Sequence, residues 1–244
     1  MAEFWQIFIG KFNSTQLLVY VIIQISVFVT FLVLARVTYP KENNYSIMNH
    51  TMSFLGSKEP FRNPKGWYFF SIAIMWITIA DIPLNLYIFR YLLTFSPVFA
   101  WIMIMSGGIS TINGVLVSIF TDVDTDRELS GGDFIQDLKS GRIHNVTAVI
   151  TFSTFILANL ITGLAYLFHP LQRSLYTWLP PFLIFMIVLT GFFLFNALWQ
   201  KKCKNDEKLE SFPGDGIYSF PLWEWLLFFS LYIFLFWIVF LAVP

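Results

Sequence analysis

Six apolar stretches constrain this chain more than any other feature: Leu17 to Val37, Trp67 to Phe89, Val98 to Phe120, Val146 to Phe168, Trp178 to Trp199 and Pro221 to Val243, each 21–23 residues long. About 20 apolar residues in a helix cross a hydrocarbon core about 30 Å thick. The apolar residues run continuously instead of alternating with polar ones, and a helix satisfies its own backbone groups in lipid. Both points select helices over barrel strands. The reading is an all-α polytopic membrane protein, a bundle of six transmembrane helices with both termini on the same side because the number of crossings is even.

Composition leads to the same class. Only 12% of residues are charged, against about 25% in a soluble domain, and 57% are hydrophobic. A chain of 244 residues has too little interior to hide 29 Phe and nine Trp from water. One cysteine excludes an intramolecular disulfide, a CxxC redox pair and a multi-thiolate zinc site. Fifteen basic against fifteen acidic residues give no bias toward nucleic acid. No period of 20–50 residues repeats and no Ser- or Pro-rich linker divides the chain, so residues 1–244 read as one domain. Met1 to Asn13 carries Glu3 and no small-residue cleavage site, which makes the first span the expected insertion signal. Phe4, Trp5, Phe8, Ile9 and Phe12 recur there at helical spacing, as in a short interfacial helix or the start of the first span. Trp67, Trp178, Trp199, Trp223 and Trp225 fall at span ends and read as interfacial anchors.

Orientation follows from Lys and Arg in the connections. The first, third and fifth hold twelve of the fifteen, and the other side holds Lys11, Arg90 and Arg173. Basic residues favour the cytoplasmic face, so the expected protein is an integral, multi-pass one with cytoplasmic odd loops and with N- and C-termini outside.

Asp81 is the one acidic residue deep in a span, and placing it in lipid costs at least about 2.5 kcal/mol, so it should face the bundle. Asn85 and Thr78 share its helix face. Counted from the end nearest the odd loops, Asp81 lies roughly 21 Å deep at about 1.5 Å per residue. The same count brings Ser106, Asn159 and Gln24 of three other spans to that level. Ser106, Ser110 and Gly114, with Gly107 and Thr111 beside them, form a small-residue seam suited to close helix approach. The layer centred on Asp81 reads either as a proton, cation or headgroup site or as packing glue.

The first loop contains Tyr39-Pro40, Ser53-Phe54-Leu55-Gly56 and Asn63-Pro64 ahead of Trp67. Its apolar and small residues suggest a re-entrant or packed segment. A polar turn at Asp122 ends the third span and His144 opens the fourth. These elements resemble the six-helix membrane family called DUF nine-nine-eight, a distant relation of the Frag/DRAM/Sfk group, over nearly the whole chain. The resemblance implies the six-helix bundle and a shared loop site, tilts the ligand toward lipid, and supplies no reaction.

Two metal sets can be read from residue types. His50, Asp122 and His144 lie on one side and would suit zinc or a similar ion, although no HxxxH or HxxE spacing joins them. Asp122, Asp124, Asp126, Ser130 and Asp133 follow calcium-loop spacing, with Arg127 where the turn needs Gly. The plainer readings are loop histidines bonded to backbone and a solvated acidic loop. No motif requires a cofactor, and no P-loop, GxGxxG or GxSxG is present. Cys203 among Lys201, Lys202 and Lys204 is a lone thiol beside a basic surface suited to anionic lipid.

The function expected first is binding or processing of a lipid-like or amphiphilic molecule in a pocket between helices, capped by the first and third loops. His50, Ser53, Asp122 and His144 would line the mouth, and Asp81 with Asn159 the deep end. The expected partners are membrane lipids and other membrane subunits. The alternative is a non-enzymatic subunit or scaffold in a larger complex; the third reading is a small proton-coupled transporter using Asp81.

Overall fold

The computed structural model describes residues 2–43, 45–48, 50–60, 62–120, 143–169, 174–205 and 216–242. Among them the regular structure is helical, with no strand. A short helix α1 (Ala2–Phe8) precedes six long ones: α2 (Ser14–Val37), α3 (Trp67–Leu93), α4 (Pro97–Ile119), α5 (Ile143–Phe168), α6 (Leu175–Asn205) and α7 (Phe220–Leu241). These six are long and apolar enough to cross a membrane. Each falls on one of the six apolar stretches, and α6 departs most, continuing past Trp199 to Asn205, where residues 200–205 hold no Gly or Pro.

Local sequence sets the helix starts. Asn13 and Gln16 form a reciprocal capping box at α2, each side chain accepting the other's backbone N–H at 3.0 and 2.8 Å. Pro97 opens α4, and Ser219 caps α7 ahead of Pro221. Between α1 and α2 the chain passes close to α3: Gly10 has φ +71, and a Cβ there would strike Tyr87 and Leu86. Arg90 Nε donates to the Ile9 carbonyl at 3.0 Å, holding this approach.

The bundle has a centre and a periphery. Within the apolar windows, 56% of α3 and of α7 is buried inside the protein, against 22% of α2 and of α6. The outward Leu18, Ile22, Val29 and Val33 of α2, and Ile184 and Ile187 of α6, are the surface left for lipid. Helix α4 lies between α3 and α5, as its small residues require. A Cβ on Gly114 would meet Thr78 at 2.7 Å, Gly107 faces the Asn85 amide, and Ser110 donates to the Thr151 carbonyl of α5 at 3.0 Å.

Packing departs from chain order at one pair of helices, and one expectation is corrected. Helices α5 and α6 share a short connection but meet mainly near it, where Tyr166 stacks on Trp178 and Gly163 receives Phe182. Helix α6 packs instead along α7, because its rings find rings there: Phe185 stacks on Phe234, Phe195 on Trp223, and Gly191 leaves room for Trp223. Trp178 and Trp225 are not interfacial anchors; both are buried in the bundle.

The first loop is packed. Arg36 donates to the Tyr45 carbonyl at 3.0 Å and lies over the Tyr45 ring; Lys58 lies over Trp67 and Arg62 over Phe54. Asn63 is fully buried and donates through Nδ2 to Ala35 O at 3.0 Å and Leu55 O at 2.8 Å. That bond ties the loop to the end of α2 and positions the 3₁₀ turn Met52–Gly56 over the bundle.

Candidate functional site

Starting from the membrane interior, Asp81 on α3 is 5% exposed and Gln24 on α2 is 1% exposed. Gln24 Nε2 donates to Asp81 Oδ1 at 2.6 Å, and the Tyr232 hydroxyl of α7 shares a hydrogen bond with the same carboxyl. Tyr20 donates to the Ala80 carbonyl at 2.8 Å and Trp76 to the Gln24 carbonyl at 3.1 Å, so polar bonds clamp α2 to α3 on both sides of the pair. Phe155 meets the Tyr232 ring edge-on at 5.0 Å.

At the loop end, His144 sits in the first turn of α5 and is buried. Its Nδ1 lies 2.6 Å from the Phe120 carbonyl, the residue that caps α4, and its Nε2 lies 3.4 Å from Ser53 Oγ on the 3₁₀ turn. A carbonyl only accepts, so Nδ1 donates to it, and the neutral tautomer that this bond selects has its lone pair at Nε2.

A cavity with about 80 Å³ of room for the centres of water molecules connects the two places. Met52, Ser53, His144 and Glu224 line one end and Thr78, Asp81, Asn85 and Tyr232 the other. Between them the wall is mostly apolar, with Phe70, Ile74, Ile77, Val117, Phe152 and Phe228. His144 and Phe155 are eleven residues apart on one helix, which gives the pocket a length of about 16 Å.

Of the residues singled out from sequence, Ser53, His144, Asp81 and Asn85 share this pocket, and Gln24 bonds to Asp81 from behind it. Asn159 does not line it: its amide donates to the Phe155 carbonyl one turn back, so the side chain is satisfied within its own helix. Ser106 is buried on the seam but is not a lining residue. Nor does His50 reach the pocket. Its Nδ1 accepts the Ser46 N–H at 3.1 Å while its ring packs on Tyr45 and Phe54. Burial, opposed by the Ser46 carbonyl 3.2 Å from Nδ1 and aided by Arg62 and Arg36, holds the His50 pKa below its ordinary 6.5. Burial, then the Glu224 carboxylate, pushes the Tyr45 phenol up. Asp122, Asp124, Asp126 and Asp133 lie outside the described residues, and among the described residues no three His, Cys, Asp or Glu side chains gather to hold a metal.

Sequence reasoning missed Tyr232, Glu224, Thr151 and Tyr20. Glu224 carried a signal, a carboxylate within the last apolar stretch. Tyr232 carried none, being one ring in a span full of rings.

Fold and site together define a class: a multi-pass membrane protein whose described residues hold six membrane-length helices, with a polar-ended, apolar-walled pocket among α3, α4, α5, α7 and the first loop. No family model, curated protein or solved structure matches the chain.

Proposed function

We propose that the protein binds an amphiphilic, lipid-like molecule in this pocket, its chain lying along the apolar wall and its polar end at the mouth beneath the first loop. The observation that carries the reading is the lining itself: phenylalanine and aliphatic side chains for most of its length, and hydrogen-bonding groups at both ends. The mouth lies at the loop segment Ser53-Phe54-Leu55-Gly56: Ser53 and His144 line it, and Asn63 ties the segment down through the Leu55 carbonyl. With the basic odd loops assigned to the cytoplasm, that mouth faces the cytoplasmic leaflet.

Native mass spectrometry of protein released from lipid nanodiscs tests the proposal. The expected result is a retained lipid-sized mass, lost in Ala148→Phe, which places a ring in the pocket wall. Wild-type protein that carries no amphiphile would overturn it. A stoichiometric protein partner in its place would favour the scaffold reading, and acid-driven uptake lost in Asp81→Asn the transporter reading.

A further inference from the structure

We propose that Ser53 and His144 form a nucleophile and general-base pair that cleaves or transfers the acyl group of a long-chain carboxylic ester held in the pocket. This rests on the binding reading above and adds a reaction to it.

Three contacts compose the pair. The Phe120 carbonyl, 2.6 Å from Nδ1, fixes the tautomer and the ring plane of His144. Nε2 is thereby left as an acceptor, and it faces Ser53 Oγ at 3.4 Å, longer than the about 2.6–3.2 Å of an engaged nucleophile and base and in keeping with the looser pairs found before substrate binds. Both residues line the pocket, which places the pair beside the space where a ligand lies. A base held by a third group, with a hydroxyl on its other nitrogen, is the arrangement that activates a weak nucleophile. Here a backbone carbonyl takes the place of the usual carboxylate.

The lining selects the bond. Asp81, Glu224 and His144 are the ionisable side chains that line the pocket besides Tyr232, and no Lys or Arg among the described residues joins them. A phosphoryl group would meet two carboxylates and no cation to balance its charge. A carboxylic ester is neutral, and its chain matches the apolar wall. In the first step Ser53 Oγ bonds to the acyl carbon as its proton passes to His144 Nε2. The bond from that carbon to the leaving oxygen then breaks, and Nε2–H returns the proton to the departing alcohol. In the second step water, or the hydroxyl of a second lipid, gives its proton to Nε2 and attacks the acyl-Ser53 ester. The free acid or new ester leaves and the Ser53 hydroxyl is restored.

A fluorophosphonate bearing a long alkyl chain, applied to the full chain in nanodiscs and read by intact mass and peptide sequencing, tests the pair. The expected result is one adduct on Ser53, absent in Ser53→Ala and formed at least about 100-fold more slowly in His144→Gln. Melting profiles of the variants separate loss of the base from loss of the fold: a His144→Gln protein that melts like wild type yet labels at the wild-type rate overturns the role of His144. An adduct on another serine, or none on a wild-type protein that still retains lipid, overturns the pair and leaves binding intact. Absence of both adduct and lipid overturns both readings.

Discussion

Replacing Asp81 by leucine should cost more in the wild-type background than in one where Gln24 is already leucine. In the wild type the substitution removes the acceptor of Gln24 Nε2 and the partner of the Tyr232 hydroxyl, leaving two buried donors without acceptors. Gln24 Oε1 lacks a partner already, so its state does not change. A buried donor newly left alone costs about 1–3 kcal/mol in a protein interior, whereas coupling across membrane helices averages about 0.6 and reaches about 1.7 kcal/mol. The 2.6 Å separation and near-complete burial of both residues place this pair at the upper end of the membrane range, about 1.5 kcal/mol. With Gln24→Leu present, one of the two orphaned donors no longer exists, and Asp81→Leu should be about that much milder. Reversible unfolding in detergent mixtures of rising SDS content, followed by tryptophan fluorescence, measures all four corners of the cycle. Equal costs for Asp81→Leu in both backgrounds, within about 0.3 kcal/mol, would refute the reasoning and show that the 2.6 Å contact carries no coupling.

Two further outcomes follow from the packing. Gly114→Ala should destabilise the bundle by about 1–3 kcal/mol, because the new Cβ meets Thr78 at 2.7 Å while the Thr78 hydroxyl is pinned to the Ile74 carbonyl at 2.6 Å. Adding Thr78→Ala should recover most of the loss, and Gly108→Ala, which has nothing within 4 Å, should show none in the same melting assay. His50 has a pKa in the folded loop below its ordinary 6.5, so the unfolded loop binds the proton more readily. Its stabilisation is therefore complete above that value and declines as pH falls through the folded pKa. Protease cleavage of the first loop should accelerate below about pH 6.5 in the wild type and lose that pH dependence in His50→Phe.

The helices were legible because lipid admits few backbone solutions: length and hydropathy place all six to within a few residues at most ends. Depth was legible for the same reason, since a constant rise per residue puts Gln24 and Asp81 at one level, and they do bond. Azimuth was not. Asn159 lies at the predicted depth but turns its amide to its own helix, a choice that depends on how α5 is rotated against its neighbours. Ser53 and His144 could each be singled out as residues, yet 91 positions separate them, and only the folded first loop brings the hydroxyl to the ring. The tryptophans mislead for a related reason: a span-end position suits an interfacial anchor equally well whether the ring faces lipid or, as with Trp178, the centre of the bundle.

The Gln24 amide has a consequence for the carboxyl it touches. Nε2 meets Asp81 while Oε1, on the same carbon, is without a partner. As placed, the group donates, which suits an ionised carboxylate. Half a turn about its last bond would offer the oxygen instead, as a protonated acid requires. Carboxylate and amide are thus reversible in polarity: Gln24 can pair with either protonation state of Asp81 by one side-chain rotation and no displacement of a helix.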